Sequence, residues 1–193
     1  MNFNFDETGK TDEELVALTL KDQEYFSFIV KRYSVKLKVY ISRISGLGSE
    51  DADDLLQEVF IKTYRHLNDF DGNLKFSAWI YRIARNHTIS HFRKNKLKQE
   101  LQLQLDENVM ENLSSDFDLE KEINDNMTKD SVQAVLNSLD ARYREVLELK
   151  FIEGWDYRQI SDILKKPMGT VATLINRAKK KFKDQLKKQK IKI

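Results

Sequence analysis

Apolar residues recur three and four positions apart along most of this chain. After Thr11 come Leu15, Val16 and Leu18, then Phe26, Ile29, Val30, Tyr33, Leu37, Tyr40, Ile41 and Ile44. Such spacing lines up side chains on one stripe and predicts amphipathic helices with a single buried face. Thr11 followed by Glu14 has the capping-box pattern, in which hydroxyl and carboxylate satisfy free amides at a helix start. The helical run stops at Ser45-Gly46-Leu47-Gly48, and Ser49-Glu50-Asp51 restarts it. Ser49 is the expected N-cap, with acids at the positive end of the helix dipole. The apolar face of this helix is Leu55, Leu56, Val59, Phe60, Tyr64 and Leu67, and its other face holds Asp53, Asp54, Gln57, Glu58 and Lys62.

Asn68-Asp69-Phe70-Asp71-Gly72-Asn73 is the strongest loop signal in the first half. Beyond it Phe76, Trp79, Ile80, Ile83, Ala84 and His87 predict another buried stripe. The opposite side shows Arg82, Arg85, Asn86, Ser90 and Arg93, a basic ridge about 16 Å long at the rise of an α-helix. Periodicity fades over 99–118, an acidic, Asn/Gln/Ser-rich stretch read as a linker. A second helical unit is expected from Leu119. Val132, Val135, Leu136 and Leu139 predict one helix, and Tyr143, Val146, Leu147, Leu149 and Phe151 the next, stopped by Gly154. Asp156 can cap a short helix around Ile160, Ile163 and Leu164. Lys165-Lys166-Pro167-Met168-Gly169 reads as a turn, and Thr170 as the cap of a long last helix that buries Val171, Leu174, Ile175, Ala178 and Phe182. Short helix, turn, then longer helix with a polar-basic outer face is helix-turn-helix order.

Composition narrows the class. The chain has no Cys, three His, one Pro and six Gly. Disulfides and thiolate sites are excluded, and so few turn-formers argue against barrels, sandwiches and Gly-rich nucleotide loops. Apolar runs are too short for a membrane span, and the N-terminal MNFNFDETGK does not read as a secretory signal. The expectation is an all-α, cytoplasmic protein of two small helical domains, 1–98 and 119–193. Net charge is only +2, but its distribution is uneven. Residues 1–60 carry net −5, 61–98 net +7, 99–130 net −8 and 131–193 net +8. The total conceals four blocks of alternating sign.

Catalytic readings are weak. His87 and His91 stand four apart, a spacing that suits a shared zinc, but no Glu base lies between them and no third ligand is evident. Asp53, Asp54 and Glu58 could be taken for a magnesium site, yet carboxylates so spaced on a helix more often form a solvated or docking face. No nucleophile–base pair and no phosphate loop is found, so no catalytic residue, metal or cofactor is assigned. The basic blocks instead suit nucleic acid, by phosphate neutralisation. Thr173, Asn176 and Arg177 can meet base edges from a recognition helix. Arginines beside Phe70, Phe76, Trp79 and Tyr81 suit unstacked bases. Phe76 and Trp79 lie on the apolar stripe and read as core, while Phe70 and Tyr81 are left open between the two roles.

Two stretches resemble a known family. DADDLLQEVFIKTYRHLNDFDGNLKFSAWIYRIARNHTISHFRK (Asp51–Lys94) resembles conserved region two of bacterial RNA polymerase sigma factors of the sigma-70 family, in the extracytoplasmic-function group. LDARYREVLELKFIEGWDYRQISDILKKPMGTVATLINRAKKKF (Leu139–Phe182) resembles their region four. Nothing corresponds to region three. The resemblance implies a factor that directs core RNA polymerase to promoters. It implies docking on the β′ clamp helices through Asp53, Asp54, Leu55, Gln57, Glu58 and Phe60. Reading and melting of the minus-ten element would fall to Asn68, Asp69, Phe70, Asp71, Asn73, Lys75, Trp79, Arg82, Arg85, Asn86, Ser90 and Arg93. Reading of the minus-thirty-five duplex would fall to Arg158, Thr170, Ala172, Thr173, Asn176, Arg177, Lys179 and Lys180, with region four also meeting the β flap. The acidic linker would thread the polymerase channel, and an anti-sigma partner is implied.

This sequence departs from the family where a basic pair is common: Val171-Ala172-Thr173-Leu174 has Ala and Leu there. Trp155 replaces a usual aliphatic residue, and Lys165-Lys166 occupies a turn that is often apolar or Gly. The usual minus-thirty-five sequence is therefore not assumed. Two rival readings stand beside the family resemblance. A stand-alone helix-turn-helix regulator has no need of the acidic helix and aromatic-basic loop of residues 49–94. A metal-dependent hydrolase would need a third ligand for His87 and His91.

Overall fold

The computed structural model describes residues 9–96 and 129–188, and every regular element among them is helical. The chain divides into two compact units, residues 1–102 and 103–193. The linker expected at 99–118 lies outside the described residues.

In the first unit, α1 (Asp12–Thr19) leads through a 3-10 turn at Gln23–Tyr25 into α2 (Phe26–Ser45). Next come α3 (Ser49–Arg65), a 3-10 turn at Leu67–Asp69, and α4 (Phe76–Lys96). The expected capping box opens α1: the Thr11 amide donates to Glu14 Oε2 at 2.7 Å and the Glu14 amide to Thr11 Oγ1 at 3.2 Å. The hydrogen bonds from Thr11 also hold the Glu14 carboxyl below its ordinary pKa. Gly46 ends α2 in the left-handed region at φ 73°, a conformation open to a residue without Cβ. Ser49 is not the N-cap of α3. Gly48 holds that position and makes no side-chain bond, so Ser49 is already helical.

Leu15, Ile29, Leu37, Ile41, Val59, Phe76 and Ile80 form the centre of the core. Tyr40 and Tyr81 pack with ring centroids 5.0 Å apart, which places Tyr81 in the core. Three buried threonines cost little, since Thr19, Thr63 and Thr88 each donate to the carbonyl four residues back. Asp12 accepts from Arg32 and from the Tyr33 hydroxyl, fastening α1 to α2. Burial first, and then Asp12, push the Tyr33 phenol far above its ordinary pKa, so it stays a donor. Glu13 accepts from the Phe76 amide at 3.2 Å, placing a carboxylate at the start of α4.

The second unit comprises α5 (Lys129–Asn137), α6 (Ala141–Leu147), a π-helical turn at Glu148–Ile152, α7 (Tyr157–Leu164) and α8 (Met168–Lys188). Its core is Val132, Val135, Leu136, Val146, Leu147, Leu149, Ile160, Ile163, Val171, Ile175, Ala178, Phe182 and Leu186. Gly154 stops the chain at φ 74°, as the sequence implies. The π-turn before it has no signature in the local apolar pattern. Asp156 caps α7 in a full box with Gln159, and the residue closing α7 is Lys165, left-handed at φ 54°. Thr170 does not cap α8, because that helix begins two residues earlier at Met168, with the Val171 amide bonded to the Pro167 carbonyl at 3.0 Å.

Candidate nucleic-acid interface

The acidic face of α3 is only partly free. Asp54, Gln57 and Glu58 are exposed, while Asp53 is half-buried and paired with Lys38 at 2.6 Å. Leu55 is 2% exposed and Phe60 packs edge-on against Phe26 with centroids 6.3 Å apart. Both are buried and support the helix from beneath. Tyr64, expected inside, is exposed instead, as is Ile61. Tyr64 still sets its ring edge-on to Phe26 at 5.1 Å, so only part of it is covered by α2.

The loop after α3 is built by its own side chains. Asp71 Oδ1 accepts from the amide and the side-chain nitrogen of Asn73, at 3.0 and 2.9 Å. The Leu74 amide closes onto the Asp71 carbonyl at 2.9 Å. Phe70, half-buried, sets its ring edge-on to Phe76 and Trp79 at 5.4 and 5.5 Å between centroids. This aromatic wedge gives the loop a fixed base, while Asn68, Asp69, Asp71, Asn73 and Lys75 stand exposed around it.

Beside the loop an open cleft of about 390 Å³ runs between the last turns of α3 and the outer face of α4. It brings together Asp69, Trp79, Arg82, Asn86 and Ser90 from the sequence-derived set. It adds Lys62, His66, Ile83 and His87, which that set missed. Trp79 is 5% exposed and gives the cleft only an edge. Arg85 lies outside the cleft lining, and the side chain of Arg93 is outside the described residues. His66 Nδ1 and Asp69 Oδ2 meet at 2.8 Å.

His87 packs half-buried beside the basic ridge with both ring nitrogens hydrogen-bonded. Its Nε2 lies 2.6 Å from Glu58 Oε2 and its Nδ1 lies 2.8 Å from Lys62 Nζ. A carboxylate only accepts and an ammonium only donates, so the ring carries its proton on Nε2. Desolvation lowers the His87 pKa, Glu58 acts against this, and Lys62 and His91 add to it. The ring is therefore neutral at physiological pH. Both its nitrogens are engaged, and among the described residues no three His, Asp or Glu converge on a metal-sized site.

In the second unit α7 and α8 form the helix-turn-helix. Ser161 Oγ donates to the Lys166 carbonyl at 2.6 Å, and the Lys166 amide returns to the Ser161 carbonyl at 3.2 Å. These bonds hold the turn at one angle. Arg158, Thr170 and Lys180 are exposed, and Ala172, Thr173, Asn176, Arg177 and Lys179 are partly so. Tyr157, also exposed, lies under Lys150 with the ammonium 5.6 Å from its ring centre.

Comparison with known proteins accounts for both units. Residues 29–98 match the family pattern of sigma-70 region 2, and residues 129–182 match that of sigma-70 region 4. The ECF RNA polymerase sigma factor SigW of Bacillus subtilis is 32% identical over 171 residues, 86% of this chain and 91% of SigW. The chain belongs to the extracytoplasmic-function sigma factors of the sigma-70 family. The ECF RNA polymerase sigma-E factor of Escherichia coli K12 is also 32% identical, over 88% of this chain and 91% of its own. The structure of CnrH in complex with the cytosolic domain of CnrY superposes with a TM-score of 0.66 and 25% identity, covering 92% of this chain and 98% of CnrH. A sigma factor directs promoter-specific initiation of transcription, with core RNA polymerase and promoter DNA as its partners. Sigma factors are initiation factors and not enzymes. No helix among the described residues is long and apolar enough to cross a membrane.

Proposed function

We propose the following division of labour within this sigma factor. Residues 1–98 dock on the β′ clamp helices of core polymerase and read and melt the minus-ten element. Residues 119–193 read the minus-thirty-five duplex and meet the β flap, and 99–118 thread the channel between them. Docking falls to Asp53, Asp54, Gln57 and Glu58, with Leu55 and Phe60 as their support. The minus-ten strand follows the loop Asn68–Lys75 and the cleft edged by Arg82, Asn86 and Ser90, with Arg85 and Arg93 contributing charge. The duplex is met by Arg158, Thr170, Ala172, Thr173, Asn176, Arg177, Lys179 and Lys180.

The observation that carries this reading is a juxtaposition on one small unit. An exposed acidic face on α3 stands next to a polar-aromatic cleft and a self-braced loop. A regulator acting alone has no use for the first, and a docking module has none for the second. The factor works in the cytoplasm and has no catalytic site of its own. The partnered state of CnrH supports a second protein, an anti-sigma factor, that covers one or both units.

Run-off transcription with purified core polymerase and genomic fragments tests this. Discrete start sites are expected with the factor and none without it. Asp54→Lys should weaken core binding, and Asn86→Ala should reduce open-complex yield with core binding intact. If the protein neither binds core nor produces a defined start site, the reading is wrong.

A further inference from the structure

The start of α8 is chemically unlike the rest of that helix. Because α8 begins at Met168, its first turns include two residues that local pattern assigned to the turn. From Met168 to Asn176 there is no charged side chain, and the first cation on the helix is Arg177. Met168 is 55% exposed at the leading end, and Gly169 beside it is exposed, with open space where a Cβ would stand. Ala172 and Thr173 follow one turn later at the spacing that places them next to these two, and both are partly open to solvent. The Thr173 hydroxyl donates to the Gly169 carbonyl at 2.9 Å. Its proton is spent on the backbone, so toward a partner this side chain presents its methyl group and an oxygen that can only accept.

We propose that this leading patch of α8, Met168 with Ala172 and Thr173, reads thymine in the upstream duplex through its C5-methyl group. The inference rests on the reading of this unit as the duplex reader and adds the base chemistry it prefers. In the major groove guanine is read by a bidentate Arg or Lys, and these nine positions hold neither. Adenine is read by Asn or Gln, for which Asn176 stands a turn further on. Thymine alone presents a methyl group, and Ala, the Thr methyl and other apolar groups are what contact it. A thioether chain is unbranched and polarizable, so Met168 can settle against a methyl without a fixed geometry. Gly169, without a Cβ, lets the helix backbone approach the bases. Affinity lost at this end is restored behind it, where Arg177, Lys179, Lys180 and Lys181 can neutralise phosphates.

The test uses the full-length protein with core polymerase. The holoenzyme first selects duplexes from a library randomised across the upstream element. The recovered sequence is then resynthesised with deoxyuridine in place of each thymine in turn. Deoxyuridine keeps every hydrogen-bonding group and removes only the methyl. Thymines should be enriched in one short run, and at one or more of them deoxyuridine should weaken binding about fourfold, the worth of one buried methyl group. Met168→Ala should abolish the thymine preference at one of those positions, and Met168→Leu should retain it. Equal binding of thymine and deoxyuridine at every position overturns the proposal, as does selection of a sequence without thymine. Recovery of no upstream sequence, from a holoenzyme that still binds core, overturns the duplex-reader reading and the proposal with it.

Discussion

His87 shows how much one side chain can join. It ties α4 to α3 through Glu58 and Lys62, at the back of the cleft assigned to the opened strand. Burial holds its pKa below the ordinary value of 6.5. Below that pH the unfolded chain takes up a proton that the folded chain resists. The stability this cluster supplies is complete above 6.5 and is lost as pH falls towards the folded value. Urea midpoints should therefore fall between about pH 7 and pH 5. The fall should be shallower in His87→Gln, and equal slopes would show that the cluster does not titrate. Arg144 is the matching case in the second unit. Its guanidinium donates to the carbonyls of Leu136, Asn137 and Leu139, between 3.0 and 3.1 Å, and so closes the end of α5. Arg144→Ala should cost about 1–2 kcal/mol in urea denaturation, since charged donors to carbonyls are among the stronger hydrogen bonds.

At the scale of the element, the turn between α7 and α8 decides where the recognition helix starts. Lys165 occupies the left-handed region at φ 54° with a side chain that costs energy there. Glycine would adopt that backbone more readily, at some cost in unfolded-state entropy. Lys165→Gly should raise the stability of the second unit by about 0.5–1 kcal/mol. A melting temperature that is unchanged or lower would mean that Lys165 makes compensating contacts. The cap of α7 gives the opposite sign. Asp156 accepts from the Gln159 amide at 2.7 Å, and Asp156→Ala should cost about 1 kcal/mol.

For the whole molecule the controlling quantity is the order of charge along the chain. The net +2 divides into blocks of −5, +7, −8 and +8. Duplex affinity of the holoenzyme should fall linearly on log axes with salt, each lost phosphate contact removing about 0.9 from the slope. Lys179→Gln with Lys180→Gln should reduce that slope by about 1 to 2 and leave sequence preference intact. A changed preference with an unchanged slope would place both lysines on bases. If the acidic block threads the channel as proposed, its charge should bear on escape from the promoter. Neutral residues at Asp106, Glu107, Glu111 and Asp116 should slow ejection of the linker by emerging RNA, seen as more abortive product per full-length transcript. An unchanged ratio would remove that role.

What the sequence determined by itself was local or additive. Helix positions, the Thr11–Glu14 box, the stops at Gly46 and Gly154 and the cap at Asp156 all depend on contacts within about five residues. Charge blocks are sums over neighbours. The family resemblance likewise rests on contiguous residues, Asp51–Lys94 and Leu139–Phe182. What only tertiary structure decided was which side of a stripe meets a neighbour. Tyr64 lies on the apolar stripe of α3 and packs on Phe26 yet stays partly open to solvent, while Tyr81, equally placed to stack on a base, is fixed in the core by Tyr40. A 3.6-residue period says that one face is buried but does not say where the partner helix ends. Leu55 and Phe60, which the resemblance places on the docking face, are buried for the same reason. The cleft is the larger case. Glu58 and His87 are 29 positions apart, and no periodic pattern links residues that meet only because α3 and α4 pack side by side. The start of α8 is the last. Pro167 signals a turn in any local reading, and only the bond from the Val171 amide to its carbonyl shows that the helix has already begun. That single turn brings Met168 onto the reading helix.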